Sequence, residues 1–409
     1  MRTEILKIVD TGTHKLGQNV VFEHPSIASL SAHLEHLRSG QEEKQETLAE
    51  QIDALVSRYA SFHPVEKKRR IALTGATGSL GAHVLAQLVS RADVEVVYCL
   101  VRACNNTDAS NRIEKFLVQR KIYNTLALSK MRALATDLAS PRLGLDEATY
   151  KDMASSLTGV IHCAWSVNFN KRLVSFQDCI SGLHHLIALC LATSSSSRAP
   201  ATFDFCSSAS TVARCLGLHT PEQLAEYDWA QDMGYAQSKC HICMAAATQT
   251  GLTARVLRIG QIVADTIHGV WNATEAIPLM LHSALTVGAL PTLRETPSWT
   301  PVDVVAQAVA EISLSDAATM VANVTNARSF SWTHDLLPAL RAAGLQFDEV
   351  EPREWVRRLR VSNKDARTNP CIIVKTFVKQ FRATEWDTRG FKHVRLVMNK
   401  GHSSHNAIS

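Results

Sequence analysis

Two scarcities bound this chain before any motif is considered. No run of about 18 apolar residues stands out, and no basic-then-apolar leader opens it, so neither a membrane span nor a secretory signal is expected. Charge of one sign is also scarce: 43 Lys and Arg stand against 38 Asp and Glu, a formal charge of +5. That surplus is small and dispersed, so no nucleic-acid partner is expected. The one basic cluster, Lys67-Lys68-Arg69-Arg70, abuts an apolar run and reads as a solvated strand entry. The ten cysteines are scattered, most within apolar runs such as Tyr98-Cys99-Leu100 and Leu189-Cys190. They read as reduced, buried thiols of a cytoplasmic protein. Cys240 and Cys243 form a lone C-x-x-C, and the 17 histidines show no ligand spacing, so no metal is expected.

What is present begins with size. The 409 residues, 46% apolar and 20% charged, suffice for one large core plus additions, and a monomer is expected. No internal repeat is visible. From Ile71 onward, apolar runs near 70–74, 95–101, 131–136, 158–163, 202–206 and 253–258 alternate with helical periods. That alternation predicts a Rossmann-type, doubly wound parallel sheet of the α/β class. Beyond Gly260 the alternation loosens into stretches with Trp271, Pro278, Pro291, Pro297 and Trp299, read as loops of a smaller substrate lobe. Trp271, Ile277, Leu279, Met280 and Leu281 are expected to line an apolar substrate surface there.

Five domain segments follow from this reading. Residues 41–66 form a linker helix with Leu48, Ile52, Leu55 and Val56 at helical spacing. Residues 67–265 form the nucleotide-binding domain, to which 301–325 return. Residues 266–300 and 326–395 form the substrate lobe, and 396–409 a disordered tail. Residues 1–40 stand apart from the rest as a helical N-terminal extension.

The first strand stops at Thr74-Gly75, and a helical period begins near Ser79. Gly75, Gly78 and Gly81 therefore lie on a strand-to-helix turn, spaced T-G-x-x-G-x-x-G as in extended short-chain dehydrogenase/reductases. Glycine permits the tight turn and the approach of backbone N–H groups to a pyrophosphate. Gly75, Thr77, Gly78, Ser79, Leu80 and Gly81 are the candidate ligands. Arg102 follows the second strand, where an arginine accommodates the 2′-phosphate of NADP, with Arg112 as a second phosphate ligand. NADPH is therefore the expected cofactor. Asp137-Leu138 follows the third strand; Asp137 reads either as a partner of the adenine amino group or as a helix-starting aspartate.

The catalytic candidates are Ser208, Tyr235 and Lys239. Tyr235-Ala236-Gln237-Ser238-Lys239 places a phenol and an ammonium four residues apart on one helical face. A phenol alone is a poor acid or base near neutrality, and an adjacent ammonium favours its ionised form. The same lysine can hold a nicotinamide ribose, and Tyr235 is counted with it among the cofactor-binding residues. Ser208 follows the fifth strand, so its hydroxyl can reach a substrate carbonyl and stabilise the developing oxyanion. Ser210 is read as an auxiliary donor, and His162 as the cap of the fourth strand.

With these residues in view, the chain resembles the terminal thioester reductase domains of fungal nonribosomal-peptide-synthetase-like enzymes, a group that includes carboxylic acid and aminoadipate reductases. The resemblance covers roughly residues 10–385. It rests on T-G-A-T-G-S-L-G at 74–81, C-L-V-R-A at 99–103, A-W-S-V-N-F-N at 164–170 and G-Y-A-Q-S-K at 234–239. L-R-I-G-Q at 257–261, G-V-W-N at 269–272 and P-V-D at 301–303 add to it. Asn19-Val20-Val21-Phe22-Glu23-His24-Pro25-Ser26-Ile27-Ala28-Ser29-Leu30 resembles the end of an acyl or peptidyl carrier domain without its phosphopantetheine serine. Residues 1–40 are thus expected to be a carrier remnant. The resemblance implies that NADPH reduces an acyl or peptidyl chain held as a phosphopantetheine thioester on a carrier. The product is an aldehyde or, after a second hydride, an alcohol. Rival readings are a ketone or aldehyde reductase or sugar-nucleotide enzyme acting on a free small molecule, and a non-catalytic NADP-binding docking module. Three departures stand out. Cys163 replaces a more usual asparagine or serine, Thr136 replaces a glycine, and Asn369-Pro370-Cys371-Ile372-Ile373 lacks the usual Lys-Leu.

Overall fold

Strand side chains alternate between two faces, and in this chain both faces are apolar, so helices must cover each. The computed structural model describes residues 2–9, 16–39, 47–59, 68–125, 127–194, 199–216, 220–239, 244, 248–316 and 320–362. It divides the chain into two units, Met1–Glu66 and Lys67–Ser409.

In the first unit, helices span Arg2–Ile8, Val20–Glu23, Ile27–Ser39 and Leu48–Tyr59. Ser26 and Ser29 exchange hydrogen bonds at the start of Ile27–Ser39, and His24 stacks on His33 with centroids 4.0 Å apart. Helix Leu48–Tyr59 opens on a capping box: Thr47 N–H donates to Glu50 Oε2, and Glu50 N–H donates back to Thr47 Oγ1. Leu48, Ile52, Leu55 and Val56 are exposed.

In the second unit, six strands match the expected runs to within a residue or two. They are β1 (Arg69–Thr74), β2 (Val94–Val101), β3 (Met131–Ala135), β4 (Gly159–His162), β5 (Thr202–Ser208) and β6 (Ala254–Ile259). Short strands β7 (Gln261–Val263), β8 (Ala289–Pro291), β9 (Trp299–Pro301), β10 (Val321–Val324) and β11 (Asp348–Val350) follow. The main sheet runs β10-β6-β5-β4-β1-β2-β3, and every pair is parallel. From β1 the chain builds outward to β2 and β3, then returns to β1's other side for β4. That reversal opens a crevice at the carboxyl ends of β1 and β4, where ligands bind in such folds.

Leu73, Val97, Cys99 and Ile161 face one layer, built from helices Ser79–Ser90, Asn106–Gln119 and Val302–Leu314. Ala72, Tyr98, Val160, Phe203 and Phe205 face the other, built from helices Glu147–Ser156 and Gln177–Ala192. With its preceding turn, the latter forms Leu173–Ala192, 20 residues of mean hydropathy 1.3. This corrects the expectation that no such apolar stretch exists. Its Leu183, Leu186, Leu189 and Cys190 are buried against the sheet, which accounts for the composition.

A third core gathers Met280, Leu290, Leu293, Trp332, Leu337, Trp355 and Leu359. Each buried indole N–H finds a partner: Trp355 donates to Ser283 Oγ at 2.9 Å and Trp332 to the Pro291 carbonyl at 2.9 Å. The stretch after Gly260 is thus built of short elements, the pairs β7–β9 and β8–β11 and helix Ala276–Thr286, and not of the loops expected. Pro278 fits because it stands in that helix's first turn, where an N–H has no intrahelical partner. Residues 363–395, the Asn369–Ile373 stretch among them, and the tail 396–409 lie outside the described residues.

Candidate active site

The site grows from the turn between β1 and helix Ser79–Ser90. Gly75 has φ +78°, in the left-handed region, and a Cβ there would lie 2.9 Å from Ala164 N and 3.0 Å from the Cys163 carbonyl carbon. A Cβ on Gly81 would lie 2.1 Å from the Gly75 carbonyl oxygen. The turn therefore closes only without side chains at both positions. The helix opens at Gly78 with no side-chain cap, leaving first-turn N–H groups for an anion. Thr77, Ser79 and Leu80 are half-buried beside it. These are the features a dinucleotide pyrophosphate requires, and the residues fit that group.

Arg102 lies exposed just past β2, and the Arg112 guanidinium donates to its carbonyl oxygen. Among the described residues neither arginine forms an ion pair, so two cations gather at the end of β2. Asp137, past β3, accepts from Ala139 N–H at 3.2 Å and from Ser140 Oγ at 2.6 Å. Both bonds close the turn that begins at Asp137. The Leu138 carbonyl lies 2.9 Å from His185 Nδ1, which ties this turn to helix Gln177–Ala192.

His162 ends β4 and is buried. Ala164 N–H donates to Thr74 Oγ1 at 3.0 Å, and Thr74 Oγ1 is hydrogen-bonded to His162 Nδ1 at 2.7 Å. Burial, and then the Lys239 charge, depress the imidazole to about 3, so it is neutral near neutral pH. Its Nε2 has no hydrogen-bond partner among the described residues.

Ser208 is the last residue of β5. Its Oγ accepts from Ser210 N–H at 3.2 Å and Ser210 Oγ at 2.9 Å, which leaves the Ser208 hydroxyl hydrogen to donate elsewhere. Tyr235 and Lys239 follow on helix Gly234–Ser238 and its C-cap. The Lys239 ammonium is buried 5.3 Å from the Tyr235 ring centroid and donates to the Cys206 carbonyl at 2.8 Å. It also lies 5.6 and 5.5 Å from the Trp165 and Phe205 rings. Ser208 and Tyr235 make no direct hydrogen bond to one another among the described residues.

Residues the sequence reading left without a role hold this helix in place. Trp165 Nε1 donates to Ser238 Oγ at 3.1 Å, which donates to the Tyr235 carbonyl at 2.8 Å. Phe169 meets the Tyr235 ring edge-on, 5.1 Å away. A Cβ on Gly234 would stand 2.4 Å from the Lys171 carbonyl oxygen and 2.6 Å from the Arg172 carbonyl carbon. The only signal for these contacts was that Trp165 and Phe169 fall in A-W-S-V-N-F-N and Gly234 in G-Y-A-Q-S-K.

The expected substrate-lining residues are partly reassigned. Leu279 and Met280 are buried, and Met280 belongs to the third core, so these two are structural. Trp271 remains half-buried, donates to Glu275 Oε2 at 3.1 Å and packs edge-on against Trp299 at 5.9 Å. Burial raises the Glu275 carboxyl despite that bond. Cys240 and Cys243 lie outside the described residues.

Comparison with known proteins places residues 73–309 in the NAD-binding family described as "Male sterility protein". An adenylate-forming reductase of Heterobasidion annosum is 29% identical over 94% of this chain and 36% of its own length. A non-canonical non-ribosomal peptide synthetase of Acremonium egyptiacum is 32% identical over 93% of this chain and 37% of its own. The chain therefore spans little more than a third of these curated relatives. Among solved structures, the terminal R domain of the myxalamid PKS-NRPS pathway matches with TM-score 0.66 and 23% identity, covering 78% of this chain and 84% of that one. A thiolation-reductase di-domain from an archaeal non-ribosomal peptide synthetase matches with TM-score 0.63 and 17% identity, covering 95% and 82%. At these identities the structural likeness establishes a shared fold.

Proposed function

From the premise that this chain belongs to the NAD-binding Male sterility protein family, we propose that it is an NADPH-dependent thioester reductase. Its substrate is an acyl or peptidyl chain on the phosphopantetheine of a carrier domain, released as an aldehyde or alcohol in secondary-metabolite biosynthesis. The observation that carries this reading is that the Lys239 ammonium, beside the Tyr235 ring, is anchored on the Cys206 carbonyl, two residues before Ser208 at the end of β5. The relatives, an adenylate-forming reductase and a non-canonical non-ribosomal peptide synthetase, support it.

Gly75, Gly78 and Gly81 would hold the pyrophosphate, with Thr77, Ser79 and Leu80 beside it. Arg102 and Arg112 favour the 2′-phosphate of NADPH. Bound there, NADPH supplies a hydride to the thioester carbonyl carbon, and a second one where the aldehyde goes on to the alcohol. Ser208, polarised by its two bonds from Ser210, donates to the carbonyl oxygen as negative charge develops. Tyr235 supplies the proton to that oxygen. Lys239 fixes the polarity around the phenol and retains ammonium hydrogens beyond the one given to Cys206.

Residues 19–30 support a carrier as partner, as does the likeness to a thiolation-reductase di-domain. Tethering raises the effective concentration of the acyl group, so intrinsic affinity for it can be weak. The seven described cysteines are free thiols, which supports the cytoplasm as its compartment.

The test is absorbance loss of NADPH with a panel of acyl-pantetheine and acyl-carrier thioesters, with mass detection of aldehyde and alcohol. We expect turnover of thioesters and little or none of the matching free acids, whose carboxylate is a far poorer hydride acceptor. Turnover of free ketones at rates that no thioester approaches would overturn the reading in favour of a small-molecule reductase.

A further inference from the structure

At the carboxyl ends of β4 and β5, two thiols meet. Cys163 Sγ and Cys206 Sγ are 3.4 Å apart, and both cysteines are unoxidised. His162 and Phe205 are paired in the parallel register, so Cys163 and Cys206 form the next step of the same row. Neighbouring strands lie about 4.8 Å apart, inside the roughly 4.4–6.8 Å Cα separation that a disulfide accepts. The sulfurs must close from 3.4 Å to about 2.05 Å, which draws the two strand ends together. The other described cysteines have no such neighbour among the described residues: Cys99 and Cys190 are buried singly, and Cys104 is exposed and alone.

The pair sits against the site on two sides. The backbone of Cys163 and Ala164 forms the wall that a side chain on Gly75 would strike. The Cys206 carbonyl receives the Lys239 ammonium. Closing a bond between the sulfurs therefore pulls together the wall of the nucleotide turn and the anchor of the catalytic lysine.

We propose that Cys163 and Cys206 are a redox modification site, which a peroxide converts to an intramolecular disulfide that switches the reducing site off. Cys163 is half-buried and Cys206 buried, so the oxidant meets Cys163 first. The Cys163 sulfur attacks one peroxide oxygen, the O–O bond breaks, and a sulfenic acid and water result. Cys206 then attacks that sulfur, the S–S bond forms, the S–O bond breaks, and the Cys206 proton leaves with the hydroxide as a second water. Two thiols are oxidised by two electrons and one peroxide is reduced to two waters. The hydrogen bond to Cys163, and then burial, hold the Cys206 thiol well above its ordinary range.

The inference about turnover rests on the reductase reading, but the modification does not. Full-length protein is treated with graded hydrogen peroxide, digested without reductant and mapped by mass spectrometry. A linked peptide joining Cys163 and Cys206 is expected to accumulate and to vanish with dithiothreitol. Turnover should fall in parallel by about a hundredfold, the cost of misplacing a catalytic group by about 1 Å, and return on reduction. Should no thioester be turned over, the reductase reading fails separately, and the switch is read from NADPH affinity by nicotinamide fluorescence. Cys163→Ser should show neither the linked peptide nor a peroxide-dependent loss; if that variant does not fold, mapping of the unmodified protein still decides. Absence of the linked peptide at peroxide levels that fully oxidise Cys104 would overturn the proposal. So would a linked peptide with unchanged turnover and unchanged NADPH affinity.

Discussion

Arg102 and Arg112 bring two guanidinium groups to the end of β2, and neither is neutralised by a carboxylate among the described residues. A charge-assisted bond from one of them to a 2′-phosphate is worth about 1.5–3 kcal/mol. Arg102→Ala should accordingly lower the preference for NADPH over NADH about ten- to a hundredfold, measured by fluorescence titration of both nucleotides. Equal affinity in the unmodified protein would refute this assignment. The phenol of Tyr235 poses a separate question, because in the proposed reaction its proton serves turnover and not nucleotide binding. Tyr235→Phe should leave NADPH affinity nearly unchanged and cut kcat by at least about a hundredfold. A near-normal rate would mean that Ser208 or water is the donor.

Helix Gly234–Ser238 is short, and what aims Tyr235 is the segment packed beneath it. Trp165, Phe169 and the Lys171–Leu173 backbone touch that helix from below through a hydrogen bond, a ring edge and close main-chain packing. Gly234→Ala places a methyl group against main-chain atoms, which do not rotate away as a side chain would. The helix must shift, so kcat should fall on the order of a hundredfold. Circular dichroism should show the fold retained with a lower Tm. A Gly234→Ala variant with unchanged kcat would show that this packing does not set the tyrosine. A-W-S-V-N-F-N was recognisable in the sequence as a motif, but nothing in its spacing said which helix it would support. The lobe shows the opposite failure. Leu279 and Met280 read as an apolar surface for substrate because their neighbours include proline and tryptophan. In three dimensions they lie on a helix whose buried face meets the cores of β8 and helix Pro352–Val361.

At the scale of the whole molecule, stability should carry the signature of His162. Its imidazole is depressed to about 3 in the fold, whereas an unfolded histidine titrates near 6.5. Between those values the unfolded chain binds a proton that the native chain does not, so stability falls as pH drops below about 6.5 and stops falling near 3. The slope from this group approaches about 1.4 kcal/mol per pH unit. Urea unfolding of the unmodified protein and of His162→Asn between about pH 5 and 7 should differ in slope by about one proton; parallel curves would falsify the assignment. The sequence by itself determined the order of β1 to β6, the glycine turn, the Tyr235–Lys239 spacing and the place of Ser208. Each of these is written locally, as a short apolar run, a three-residue glycine step or a four-residue helical step. Only the tertiary structure decided that β10 completes the sheet beside β6, and that Lys239 is held by a β5 carbonyl. It also decided that His162 is neutral, that Trp165 supports the catalytic helix, and that Cys163 and Cys206 meet. Those facts depend on which strands become neighbours, and partners distant in sequence, such as Cys163 and Cys206 on adjacent strands, are brought together by packing that no single segment encodes.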